Sequence, residues 1–144
     1  MKTRNISLFI IIISSSIVFA QTIGKIYTKD EADKLYGNVI ESVQLSVSEI
    51  NSLLNQSQDK IMFSILKKQL VILGDNRKVL SATTQNISPS DVFAVYSKSK
   101  LLELLNYADA KYVYFEKRVN RPTITYGMHT LEEMMICPPI CGEL

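Results

Sequence analysis

The sequence predicts an α+β fold: an antiparallel sheet of about 4-6 strands, with a long N-terminal amphipathic helix and a second, shorter helix packed on one face. Three observations lead to this expectation. Apolar residues recur at steps of three and four over residues 32–54, short apolar runs follow from Ile61, and residues 111–118 alternate as in a half-buried strand.

The long helix is predicted to begin at Thr28. Thr28 and Glu31 fit a capping box, in which the threonine hydroxyl accepts a helical N–H and the glutamate reaches back to the cap. The apolar stripe is expected to pack on the sheet rather than on a membrane or a partner helix, because its opposite face lacks dense Lys and Arg. The stripe comprises Ala32, Leu35, Tyr36, Val39, Ile40, Val43, Val47, Ile50, Leu53 and Leu54.

Short strands are predicted for most of the remaining chain. A second helix, with its N-cap among residues 97–99, is expected to run toward Tyr107. Pro89 leaves a helix open as the alternative for residues 90–97. The predicted strands are residues 62–66, 70–73, 92–96, 111–118, 122–126 and 130–136.

Residues 1–20 have the three parts of a cleavable secretory signal peptide. A basic head precedes an apolar stretch over residues 6–19, and small-residue chemistry places the cleavage between Ala20 and Gln21. The stretch falls short of the ~20 residues of a spanning helix, which favours cleavage over an anchor. We therefore expect residues 21–144 to form a single secreted or periplasmic domain, with no stable membrane span after cleavage.

The charge balance argues against nucleic acid as a partner. Two of the 16 basic residues leave with the signal peptide, which brings the basic count level with the 14 acidic residues. Binding to phosphates requires a basic stripe, whereas basic and acidic residues alternate here.

The C-terminal segment, residues 128–141, concentrates the chemically distinctive side chains. It holds the only His, both Cys and three of the five Met. In an exported protein a pair of cysteines is expected to form a disulfide, here Cys137 with Cys141, which closes a C-terminal loop. Pro138 and Pro139 favour extended backbone, so a turn or a cis proline has to bring the sulfurs together.

A soft-metal site is the alternative use of the same segment. Thiolate, thioether and imidazole groups select Cu(I), and Cys137, Cys141, His129 and Met134 or Met135 are the available ligands. Over five residues, the run from Cys137 to Cys141 resembles the Cys-x-x-x-Cys motif of the Sco family of exported copper chaperones. The resemblance implies copper-binding or thiol-redox chemistry in a thioredoxin-like fold, although that family places its histidine downstream of the motif.

The sequence contains no recognisable catalytic constellation. His129 is the only candidate base, and no serine lies in a Gly-x-Ser-x-Gly elbow. Glu132 and Glu133 are adjacent, so in a strand they point to opposite faces, and we expect a solvated edge. We therefore predict no enzymatic activity, no cofactor and no resident metal.

The predicted function is a small exported non-enzymatic binding or structural module, with an unknown protein, peptide or glycan as its partner. Tyr112, Tyr114 and Tyr126 lie on neighbouring predicted strands, where an exposed aromatic face would suit a sugar or a peptide, although ordinary sheet packing is favoured. Asn55 and Asn86 match the N-glycosylation pattern, which matters only in a eukaryotic host.

Overall fold

The computed structural model describes residues 22–139, so the predicted signal peptide, Ala20, Gln21 and Cys141 lie outside the described residues. Residues 22–139 form nine strands, three short α-helices and a 3-10 turn. In chain order these are β1 Lys25–Thr28, α1 Lys29–Tyr36, β2 Val39–Ser46, α2 Val47–Leu54, β3 Lys60–Leu66, β4 Gln69–Leu73, the 3-10 turn Asp75–Arg77, β5 Phe93–Ser97, α3 Lys98–Leu105, β6 Tyr112–Arg118, β7 Pro122–Tyr126, β8 His129–Glu132 and β9 Met135–Cys137.

The predicted α+β fold is wrong, because the described chain is mostly β. Its strands form two antiparallel sheets instead of one. The five-stranded sheet has the order β1-β8-β7-β6-β2, and the four-stranded sheet has the order β4-β3-β5-β9. The helices are each eight residues long, so none matches the predicted long N-terminal helix.

Local signals divide the predicted long helix into α1, β2 and α2. The capping box at Thr28 is confirmed: its Oγ1 accepts the N–H of Glu31 at 3.3 Å. Gly37 then ends α1 at a φ of 79°, a left-handed value that a side chain would disfavour. Ser46 and Glu49 form a second capping box that begins a new helix. Strand β2, Val39–Ser46, begins two residues after Gly37 and ends on the Ser46 cap.

Several of the shorter elements were predicted correctly. The strands expected at residues 62–66, 70–73, 111–118 and 122–126 are confirmed as β3, β4, β6 and β7. Residues 93–97 form strand β5, and the helix after them is α3. The single strand predicted at 130–136 is interrupted, because Glu133 has a φ of 60° between β8 and β9.

The inner faces of the two sheets bury one shared hydrophobic core. The rings of Phe63 and Phe115 meet edge to face at a centroid distance of 5.0 Å, which joins β3 of one sheet to β6 of the other. Helices α2 and α3 each add two buried side chains. The core residues are Ile50, Leu54, Ile61, Phe63, Ile72, Ala94, Tyr96, Leu101, Leu104, Val113, Phe115, Ile124, Tyr126 and Leu131.

The outer face of the five-stranded sheet buries a charged network beneath α1. The guanidinium of Arg118 is fully buried and donates to the Glu116 carboxylate at 3.0 Å and to the Thr123 hydroxyl at 2.9 Å. It also donates to the carbonyl of Gly37 at 2.9 Å and to the carboxylate of Asp33 in α1. These bonds attach α1 and the start of β2 to the sheet.

A second polar anchor lies at Asp75, in the 3-10 turn. Its carboxylate accepts the backbone N–H of Lys60 at 3.0 Å and the hydroxyl of Ser57 at 2.6 Å, and also accepts the N–H groups of Gln58 and Asp59. Burial by itself would raise the pKa of Asp75, but these hydrogen bonds outweigh burial and lower the pKa below its ordinary value of 3.8.

Replacing Arg118 with Met should destabilise the fold strongly. The substitution leaves the buried Glu116 carboxylate without its cation, so the free energy of unfolding should fall by about 3–5 kcal/mol. Urea denaturation followed by circular dichroism measures the change. The double variant Arg118→Met/Glu116→Gln should lose less than Arg118→Met alone. A loss below about 1 kcal/mol in Arg118→Met would contradict the role of this network.

Asp75→Asn should lower the free energy of unfolding at neutral pH by about 2 kcal/mol, because a neutral amide accepts the same N–H groups less strongly. Since the folded pKa lies below the unfolded value, the stabilisation is complete above pH 3.8 and is lost as the pH falls through the folded pKa. Urea denaturation at a series of pH values should show the two proteins converging in acid. Asp109→Asn, at an exposed carboxylate, is the matched control, and a gap independent of pH would be the contrary result.

Candidate functional site: the free edge of β2 and its groove

Strand β2 leaves a long backbone edge unpaired. It pairs with β6 on one side, and no strand among residues 22–139 pairs with its other side. The other outer strands are shorter or covered: β1 has four residues and carries Lys25, and β9 has three. The edge of β4 is covered by Ser81, whose hydroxyl accepts the N–H of Ile72 at 2.9 Å. The eight residues of β2 are therefore the longest open edge in the described chain.

The composition of β2 leaves this edge open to pairing. Edge strands are normally protected by lysines, prolines or bulges. In β2 the only charged residue is Glu41, and a register shift lies between Val39 and Glu41 at the start of the strand. Residues 42–46 carry no charge, no proline and no shift. This half of the strand can accept another strand.

A groove of about 710 Å³ lies beside β2. Val43 and Leu45 of β2 line one side, and α2, the start of β4 and the segment 81–84 enclose the rest. Because β2 is the outermost strand of its sheet, we infer that the groove opens past the free edge. The lining residues are Val43, Leu45, Glu49, Ser52, Leu53, Lys68, Gln69, Leu70, Ser81, Ala82, Thr83 and Thr84.

One carboxylate and one ammonium group line the groove. The hydroxyl and the backbone N–H of Ser46 both hydrogen-bond Glu49, and these bonds lower the pKa of its carboxyl group. Glu49 is therefore ionised at neutral and mildly acidic pH. Lys68 supplies the positive charge, and the other lining side chains are apolar or neutral. The groove thus suits an apolar segment with flanking charges of either sign.

Exposed apolar side chains surround the beginning of β2. Ile40 and Val119 are each 63% exposed, and Val39 is also exposed. The N–H of Val119 donates to the carbonyl of Asn38 at 3.2 Å, which places Val119 beside the start of the strand. This cluster adds apolar surface at one end of the free edge.

The structure separates the candidate copper ligands from one another. His129 begins β8, where its ring lies 4.4 Å from that of Tyr107. Met134 packs against the core between the sheets, whereas Met135 packs against the cluster that contains Cys137. Within residues 22–139, no group of three or more His, Cys, Asp or Glu side chains is placed to hold a metal. The antiparallel sheets also differ from the thioredoxin-like fold that the motif resemblance implies.

Cys137 is buried at the end of β9. The guanidinium of Arg77 lies 3.1 Å from its Sγ, and no cysteine of the described residues is free. The peptide bonds from Cys137 to Pro138 and from Pro138 to Pro139 are both cis. Since Cys141 lies outside the described residues, its disulfide with Cys137 stays a prediction.

The solvated edge predicted for the glutamate pair is wrong for Glu132. Glu132 is fully buried, and its carboxylate lies 3.4 Å from the guanidinium of Arg121. Glu133 is exposed and accepts the hydroxyl of Tyr27. Burial, reinforced by the hydrogen bond with Tyr27 and by the charge of Glu132, raises the pKa of Tyr36. This cluster therefore belongs to the packing of α1 on the sheet.

The three tyrosines considered as a possible binding face do not all lie on the same face of the five-stranded sheet. Tyr126 is buried in the core between the sheets, whereas Tyr114 pairs with Thr125 on the opposite face of the five-stranded sheet. Tyr112 is partly buried. Ordinary sheet packing, the favoured interpretation, is confirmed for Tyr126.

The two asparagines that match the N-glycosylation pattern, Asn55 and Asn86, are both exposed.

Comparison with protein families, curated proteins and solved structures finds no match for the chain. None of the helices among residues 22–139 is long and apolar enough to cross a membrane. The apolar spacing of residues 39–46 predicts a helix, so it gives no indication of the free edge of β2. The spacing of Ser46 and Glu49, which repeats that of Thr28 and Glu31, was the signal that could have revealed a new helix after a strand.

Proposed function

We propose that the chain is an exported, non-enzymatic binding module that captures an extended peptide segment of another protein. The segment pairs with β2 and becomes a sixth strand of the five-stranded sheet. The observation that carries the proposal is the unpaired eight-residue edge of β2 beside an apolar groove. Strand addition takes its affinity from main-chain hydrogen bonds and its specificity from pockets for alternate side chains.

The pleat of the sheet defines the sequence pattern of the partner. Side chains of neighbouring strands that lie opposite each other project to the same face. Val43 and Leu45 project to the groove side, so every second side chain of the added strand enters the groove. Apolar residues at alternate positions are therefore the preferred partner sequence.

The lining of the groove favours a peptide over a glycan. Sugars stack on aromatic rings, and among residues 22–139 no aromatic side chain lines this groove. Leu53 and Leu70 instead offer aliphatic surface, and Thr83 and Thr84 offer hydroxyl groups. Aliphatic contacts combined with a free strand edge fit a polypeptide.

Selection from a random peptide library followed by calorimetry tests the proposal. The enriched peptides should alternate apolar and polar residues. Ser52→Arg, which places a long cation in the groove, should weaken the best peptide about tenfold or more, equivalent to about 1.4 kcal/mol. Asn51→Arg is the matched control: it is the neighbouring exposed residue of α2, lies outside the groove, and should change affinity less than about twofold.

Three results would overturn the proposal. The first is an enriched peptide set without the alternating pattern. The second is equal weakening by Ser52→Arg and Asn51→Arg. The third is a stable dimer of the chain that Ser52→Arg dissociates, since this would make a second copy the natural occupant of the edge.

A further inference from the structure

A second cavity, of about 320 Å³, lies where the β6–β7 turn approaches β3, β5 and the β8–β9 connection. It shares no lining residue with the β2 groove. A change in one cavity can therefore be tested without altering the lining of the other. Its volume falls at the lower end of the range for small-molecule sites, roughly 300–1,000 Å³.

Apolar side chains from β3, β5, β7 and β9 and from the β8–β9 connection line this cavity. Phe63 and Ile65 come from β3, and Met134 precedes β9. Val92 and Ile136 are 55% and 46% exposed, although both are large apolar residues. Exposed apolar side chains that gather around a concave site are characteristic of ligand-binding surfaces.

The polar part of the lining holds two cations and one carboxylate. Lys117 and Arg121 line the cavity together with Ser64 and Asn120. Glu116 also lines it, but its carboxylate is paired with the buried guanidinium of Arg118 at 3.0 Å. Lys117 is exposed and has no ion pair within residues 22–139, although Glu41 is its register partner on β2. Its ammonium group is thus available to an incoming anion.

Arg121 is held in place by two neighbours. Its guanidinium lies 3.4 Å from the buried Glu132 carboxylate and 5.2 Å from the centre of the Tyr36 ring. Glu132 offsets part of its charge, so Lys117 is the principal cation. Arg121 keeps further N–H donors that can meet a second anionic oxygen.

We propose that this cavity binds a small anionic amphiphile, in which one carboxylate-type headgroup is attached to a single apolar tail. The tail lies among the side chains of Phe63, Ile65 and Met134, and the headgroup meets Lys117. The size of the cavity favours one medium-length alkyl chain over a two-chain lipid. This site is independent of the peptide-binding edge and adds a second class of ligand.

Paired probes separate the contribution of the charge from that of the tail. Octanoate and 1-octanol have the same number of carbons, and calorimetry or NMR titration can follow each one. Octanoate should bind more tightly, with saturable shifts of the amide signals of Lys117, Asn120 and Ile136. Lys117→Gln should weaken octanoate about fivefold and leave octanol within about twofold.

Lys111→Gln removes the same charge just before β6, outside the cavity, and should leave the affinity for both probes unchanged. Val92→Gln alters an exposed apolar residue of the lining and should weaken both probes. Equal affinity for octanoate and octanol, equal effects of Lys117→Gln and Lys111→Gln, or no saturable binding below the micelle concentration would each overturn the proposal. Loss of octanoate binding in Ser52→Arg would place the probe in the β2 groove and would also overturn it.

Discussion

The buried guanidinium of Arg118 is the constraint on which the surrounding structure depends. A charge removed from water has to be paired and hydrogen-bonded, and Arg118 draws its acceptors from α1, from the end of α1 and from two strands. By binding the Gly37 carbonyl it positions the chain just before β2 begins. Its backbone N–H also donates to the Arg121 carbonyl at 3.1 Å, which closes the β6–β7 turn. One residue therefore positions parts of both proposed binding regions.

The two proposed sites use different consequences of the same two-sheet architecture. The open edge of β2 offers main-chain donors and acceptors, which suit pairing with an extended peptide whose alternate side chains face the groove. The smaller cavity offers apolar side chains and a cation, which suit an amphiphile. The two share no lining residues, so the lining of each can be altered without changing that of the other.

Elements encoded by neighbouring residues were predictable from the sequence. The capping box of Thr28 and Glu31 and the alternation along β6 are local signals, and both are present in the structure. The apolar stripe over residues 32–54 was ambiguous, because its spacing also matches two short helices flanking a strand. The glycine at position 37 and the second capping box decide between these readings.

No local sequence pattern indicates which distant residues come into contact. Arg118 meets Asp33 across 85 positions, and Arg121 meets Glu132 only because two strands and a turn bring them together. The groove combines β2 with the segment 81–84, which no local pattern connects to it. For the same reason the cluster expected from the His, Met and Cys residues does not form: β8 lies in one sheet, whereas β9 lies in the other.

The most direct test of strand addition is backbone amide hydrogen exchange, measured with and without the tightest selected peptide. A peptide paired with β2 should slow exchange within residues 42–46 and leave β1 and β9, the edges far from the groove lining, unchanged. Slowed exchange at β1 or β9, or an unchanged β2 in the saturated complex, would contradict the claim that this free edge is the binding surface.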